Sequence, residues 1–336
     1  MVQVEIDIPK TQKAIVAENV IRLTSSGVCH SDLSILMDHW GVRDQVTMKI
    51  PGHEGSGYVV RHGAKVDTSK YPIGTRVGVA LVSNPCRDCD ICRIDDGEVK
   101  CLNAPFHGTG IDGTWCQYMN ISSRYVIPVP DGPEEHLVGP ILCGGLTVYK
   151  GLKQAQIRAG EWVVITGAGG GLGTLAVQYA NAMGYRVVAI DTGAEKHELV
   201  SRLGAEEFVD FKKDEVVAKI NQITKIGAHA AIMIAPSASV YNQAPFYLRF
   251  KGSMVCIALP PSGADFSVPP GLIVHKSLRI VGSFVGTRTD ALESLDFLAR
   301  NKVAPPVKLH PMEDIPSILN DMNNGTLSGR AVIDLH

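Results

Sequence analysis

The chain has 336 residues, 45% hydrophobic and 20% charged, with a formal net charge of −2. This supports a well-buried core and about two domains. The near-neutral balance offers no basic face for nucleic acid or an anionic membrane, and no run of about eighteen apolar residues could span a bilayer. Residues 1–10 (MVQVEIDIPK) alternate apolar and acidic side chains and lack the continuous apolar core of a secretion signal, so the expected compartment is the cytoplasm.

The first 130 or so residues read as short apolar strands broken by Gly and Pro, such as 57–60 and 75–82, which predicts a mostly β region. Past Pro140 the rhythm changes. Residues 161–165 form a buried strand pattern, followed by a Gly-rich turn. Leu172, Leu175, Ala176, Tyr179, Ala180 and Met183 then fall on one helical face. Strand patterns at 185–190, 208–210, 230–235 and 254–259, with a helix at 195–203, predict a parallel, doubly wound sheet. The fold class is thus α/β. A helix at 290–300 is expected to pack through Leu292, Leu295 and Leu298.

Four of the eight cysteines crowd one stretch: Cys86, Cys89, Cys92 and Cys101. The C-x2-C-x2-C-x8-C spacing lets one loop wrap four thiolates around a tetrahedral Zn²⁺. Two more, Cys29 and Cys143, flank the pair His53-Glu54 in the sequence. Two thiolates and one imidazole would leave a fourth zinc position open for water or substrate. Cys116 and Cys256 fit neither set and read as core thiols. His107, His136, His197, His275 and His310 read as surface or loop polarity.

The Gly-rich turn runs Gly167-Ala168-Gly169-Gly170-Gly171-Leu172-Gly173. It departs from strict G-x-G-x-x-G; the nearest register is Ala168-x-Gly170-x-x-Gly173. Gly170 would admit a pyrophosphate against backbone N–H groups, and Gly173 would let helix and strand pack closely. Asp191 ends the next strand pattern, 21 residues after Gly170. A carboxylate there accepts both ribose hydroxyls and repels a 2′-phosphate, and Lys196 can reach the same ribose, so NAD(H) is expected over NADP(H).

The motifs at 27–32, 52–57, 86–101, 140–150 and 171–191 resemble the zinc-dependent alcohol dehydrogenases of the medium-chain dehydrogenase/reductase superfamily, especially the yeast and fungal type. The resemblance runs from about Pro9 to the C-terminus. It implies a GroES-like catalytic domain at 1–144 and 285–336, and a Rossmann cofactor domain at 145–284. It implies catalytic zinc on Cys29, His53 and Cys143, with Glu54 as the alternative ligand, Asp32 bonded to His53, and structural zinc on the four-cysteine loop. It places His30 and Arg330 on the pyrophosphate, Thr147 behind the nicotinamide, and Ser31 as acceptor of the alcohol proton. The implied reaction is interconversion of an alcohol and its aldehyde or ketone by hydride transfer with NAD(H), in a homodimer or tetramer.

Three departures qualify the resemblance. A hairpin's worth of chain, about twenty residues, is missing between the opening strand at 8–16 and the strand at 20–23. Such a loss is expected to expose a sheet edge. Ser34 stands where many relatives carry a relay histidine, and serine is no base near neutral pH; His39 is its nearest histidine neighbour toward the C-terminus. Leu81 stands where small-alcohol enzymes carry a tryptophan, while Trp40 keeps the opposite wall, which points to a substrate larger than ethanol. The alternatives are a biosynthetic reductase for one larger aldehyde or ketone, and a zinc- and nucleotide-binding variant without turnover. A zinc-free quinone reductase is disfavoured by the six cysteines of the two sets.

Overall fold

A computed structural model describes residues 18–260, 265–327 and 329–336. The expected opening strand at 8–16 lies outside them.

The first sheet is built on β1 (Glu18–Gly27), where Ile21 and Leu23 are buried and Arg22 is exposed, the period-two pattern of a strand with one face on a core. Its other strands are β2 (Gly55–His62), β3 (Arg76–Val79), β4 (Tyr118–Ser122), β5 (Ile127–Pro128), β12 (Val307–His310) and β13 (Arg330–Asp334). The order is β12-β13-β1-β2-β3-β5, with β4 also on β1. All pairings are antiparallel except β12 with β13. β1 is not an open edge. β2 lies along one side of it, and β4 and then β13 take the other, through Glu18–Arg22 and Ser25–Gly27 respectively.

The second sheet is parallel throughout: β6 (Trp162–Thr166), β7 (Arg186–Asp191), β8 (Glu207–Asp210), β9 (Ala228–Met233), β10 (Leu248–Cys256) and β11 (Arg279–Gly282), in the order β11-β10-β9-β6-β7-β8. The order reverses between β6 and β9, which opens a crevice at the carboxyl end of β6, where a doubly wound sheet binds its ligand. The helices are α1 (His30–Leu36), α2 (Glu135–Pro140), α3 (Leu146–Ala155), α4 (Gly171–Ala182), α5 (Ala194–Arg202), α6 (Val216–Thr224), α7 (Ala238–Tyr247), α8 (Pro270–Lys276), α9 (Arg288–Ala299) and α10 (Ile315–Asn323).

Two expectations shift. β10 begins at Leu248, earlier than its densest apolar run. Helix α9 packs through Ala291, Leu295 and Leu298, whereas Leu292 is exposed. Ala291, Leu295 and Leu298 keep i, i+4, i+7 spacing, and Leu292 falls on the next face round. The α9 side chains join Leu142, Leu146, Val163, Ile165 and Ile127 in one apolar cluster that bridges the two sheets. Lys150 of α3, nearly buried, ties that cluster to the cysteine loop by pairing with Asp96 at 2.5 Å and with Asp290 of α9 at 3.2 Å.

Candidate active site and metal centres

Cys29, the adjacent His53 and Glu54, and Cys143 come from three separate segments, yet their ligand atoms all lie within 4.8 Å of one another. Cys29 is the N-cap of α1. Asp32, in the first turn of that helix, accepts the Cys29 backbone N–H at 2.8 Å through one carboxylate oxygen, and Nδ1–H of His53 at 2.9 Å through the other. One side chain therefore caps the helix and orients the imidazole, turning Nε2 toward Cys143. That Nε2 lies 3.2 Å from Cys143 Sγ, which is 3.8 Å from Cys29 Sγ. Sulfurs bound about 2.3 Å from a common tetrahedral centre lie about 3.8 Å apart, whereas a disulfide needs about 2.05 Å. The spacing fits a metal.

Cys143 sits in a π-helical stretch, Ile141–Gly145, just after Pro140. Proline lacks the N–H that would close an ordinary turn, and the widened turn swings Cys143 toward α1. Glycine makes room for the buried Glu54: a Cβ on Gly27 would lie 1.9 Å from the Glu54 carboxylate, and one on Gly139 would lie 2.3 Å from its carbonyl. Glu54 pairs with Arg330, but its second carboxylate oxygen, Oε2, is buried beside the Cys29–His53–Cys143 set with no partner among the described residues. Burial raises the Glu54 carboxyl, against the pull of Arg330. The hydrogen bond from Cys143 draws the Cys29 thiol well below its usual range, and the same bond drives Cys143 up, so the pair shares a proton that a metal would displace. Burial works against a charged His53, yet Asp32 prevails and raises it.

The four-cysteine loop meets the same test. Its sulfurs stand 3.5, 3.9 and 4.0 Å apart for Cys101–Cys86, Cys86–Cys92 and Cys89–Cys101. Backbone N–H groups of Asp88 and Cys89 pull the Cys86 thiol down to about 6, which favours the thiolate a metal needs.

The Gly-rich turn joins β6 to α4 at the crevice. Gly170 is exposed and a Cβ there would make only an ordinary contact with the Gly167 carbonyl at 3.5 Å, whereas a Cβ on Gly173 would strike the same carbonyl at 2.1 Å. Asp191, at the end of β7, accepts the Gly169 N–H at 2.9 Å and pairs with Lys196 at 2.8 Å. Arg330 links the two regions. Its stem passes Gly171, its guanidinium reaches Gly144 and Glu54, and its buried Nε has no partner among the described residues. An unpaired cationic donor at the head of a glycine turn suits an anionic pyrophosphate.

Residues 17–131 match the alcohol dehydrogenase GroES-like domain family, and residues 171–300 the zinc-binding dehydrogenase family. Alcohol dehydrogenase 1 of Emericella nidulans is 41% identical over 319 residues, covering 94% of this chain and 90% of the relative. The chain belongs to the zinc-containing alcohol dehydrogenases. It is an oxidoreductase of a family that works with zinc and a nicotinamide dinucleotide. Alcohol dehydrogenase 2 of the same organism is 38% identical, covering 98% of this chain and 99% of the relative. That alignment spans 364 positions, 28 more than the chain has residues, so the chain carries internal gaps against this relative. Acetophenone reductase from Geotrichum candidum, solved with NAD, superposes with a TM-score of 0.80 at 28% identity, covering 95% of this chain and 89% of that one.

The remaining expected residues are placed as follows. Ser31 Oγ lies 3.6 Å from Cys29 Sγ. His30 is exposed, with Nδ1 3.3 Å from the buried Ser34 hydroxyl. Thr147 is half-buried, one turn past Cys143, and Leu172 lies beside Gly144. Trp40 is half-buried just past α1. Leu81 lines a narrow cleft with Leu142, Leu146 and Val285. Cys116 and Cys256 are half-buried, and burial raises their thiols to about 12 and about 11. Of the five histidines read as surface or loop polarity, His107 is a correction: it is only 2% exposed. The Gly- and Pro-rich stretch around it looks like surface loop, but it folds back against the strand that ends at Val79.

Proposed function

We propose that the chain interconverts an alcohol larger than ethanol and its aldehyde or ketone at a zinc held by Cys29, His53 and Cys143, with NAD(H) at the Gly-rich turn. The observation that carries this reading is Arg330, which spans from Gly171 to Glu54 and so brings the nucleotide turn and the metal ligands to one place. Bound zinc supplies Lewis acidity toward the substrate oxygen, and the nicotinamide exchanges the hydride. Asp32 holds the Nδ1 proton of His53 so that Nε2 faces the metal. Glu54 is the reserve ligand. Ser31 accepts a hydrogen bond from the alcohol hydroxyl, and the proton would leave through the cofactor ribose to water. Ser34 cannot carry it further as a base, so alcohol oxidation is slow near neutral pH.

Gly167, Gly170, Gly171, Leu172, Gly173 and Thr147 form the dinucleotide seat, His30 and Arg330 bind its pyrophosphate, and Asp191 with Lys196 binds the adenosine ribose. The Asp191 carboxylate favours NAD(H) by repelling a 2′-phosphate. Trp40 and Leu81 are the pocket walls, and the shorter Leu81 admits bulk. The four-cysteine loop carries a second, structural zinc. A homo-oligomer in the cytoplasm belongs to the same reading, supported by exposed Phe250, Val274 and Ile280 beside edge strand β11.

The test is zinc per chain together with NADH consumption on a panel of aldehydes and ketones. Two zincs with turnover of bulky carbonyls is the expected result. Two zincs with no turnover on any substrate would overturn it in favour of a binding protein without chemistry.

A further inference from the structure

His107 lies in none of the motifs discussed above, yet it is buried and tied to the pocket wall. Its backbone N–H donates to the Leu81 carbonyl at 2.9 Å, and its Nδ1–H donates to the Ala80 carbonyl at 2.8 Å. Around it the Ser83 N–H donates to Pro105, and Val82 bridges Phe106. Residues 80–83 and 105–107 are thereby stitched into one partition. Leu81 faces the narrow cleft beside Leu142 and Leu146, the neighbours of Cys143. Phe106 faces a wider cleft of about 450 Å³ with Phe284, whose ring lies 6.0 Å away.

Packing alone does not call for an imidazole here. The Nε2 of His107 is buried with no partner among the described residues, which a hydrocarbon side chain of similar size would avoid. The ring stays neutral, because burial lowers it to about 4. Its Nδ1–H is therefore a permanent donor, and the Ala80 carbonyl is a permanent acceptor.

We infer that His107 is a positioning residue for substrate selection: by holding the Ala80 carbonyl through its imidazole it fixes the Leu81 side chain against the narrow cleft beside Leu142 and Leu146 and so sets which alcohols fit. The inference rests on the proposed alcohol chemistry for its kinetic arm only.

The experiment compares wild type with His107→Phe, which keeps the bulk and deletes the donor, and His107→Gln, which restores an N–H donor. Amide hydrogen exchange of residues 79–83 is read on the zinc-loaded protein. In His107→Phe these amides exchange about tenfold faster, as expected for losing one buried hydrogen bond, and His107→Gln recovers most of the protection. In kinetics, the kcat/KM ratio of a benzylic to a small alcohol falls about tenfold in His107→Phe, mainly through KM, and Gln again recovers it. Unchanged exchange in both variants overturns the inference. So does an equal loss for both alcohols, which marks a merely structural role. If wild type turns over no alcohol, the functional reading fails, while the exchange result still decides whether His107 holds the wall.

Discussion

The two candidate metal centres differ in how they are made. The four-cysteine site comes from 16 consecutive residues, and its Cys86 is exposed. The proposed catalytic set is gathered from residues 29, 53, 54 and 143, and three of its four members are buried. The loop site is local geometry, tethered to the rest through Lys150 and Asp96. The catalytic site exists only after β1, β2 and the π-helical turn have packed, and it keeps an unpaired carboxylate oxygen on Glu54. A closed local site suits structure, and an open assembled one suits chemistry.

Breaking each site separately tests that contrast. Cys143→Ser should leave one zinc per chain and lower kcat/KM by about a thousandfold, the scale of several kcal/mol of lost charge stabilisation. The melting temperature should change little. Cys101→Ser should also leave one zinc, but lower the melting temperature first. Metal analysis with calorimetry separates the two; the same profile for both would erase the distinction.

Arg330→Met should be the next largest effect. It strands the buried Glu54 carboxylate, at a cost of about 3–5 kcal/mol in denaturant unfolding. Because removing both partners leaves no unpaired charge, Arg330→Met with Glu54→Gln should recover part of that loss. Additive losses would show that the two side chains act independently.

A third effect is pH-dependent. His107 is held near 4 when folded and takes a proton near 6.5 when unfolded. Stability from this group is fully present above about 6.5 and is lost as pH falls through about 4, some 3 kcal/mol in all. His107→Phe should therefore have a flatter acid limb than wild type in a series of melting curves. Parallel limbs would show that the imidazole titrates freely.

The smallest effect expected is Leu81→Trp, which restores bulk to the wall. The kcat/KM preference for a benzylic over a small alcohol should fall roughly tenfold, the scale of a modest steric change in an apolar pocket. An unchanged preference would place Leu81 outside the substrate's reach.

Much of this was legible from the chain alone. The cysteine loop, the Gly-rich turn before α4 and the acid at Asp191 all lie within short stretches, so spacing and periodicity carry them. β6, β7, α4 and α5 were placed to within a residue or two at most ends for the same reason. Leu292 misled because an apolar count along a helix does not say which stripe meets the core. His107 misled because Gly108 and Gly110 mark a loop, and nothing local says that the loop packs inward. The Arg330–Glu54 pair joins residues 276 apart in sequence, which no pattern of neighbours records. Local spacing alone carries the local chemistry: two ligand sets, a nucleotide turn and the family that combines them. The tertiary structure decided which side chains share a buried site. Burial and pairing across distant strands follow from long-range packing, and only there do Asp32, Glu54, His107 and Arg330 acquire their partners.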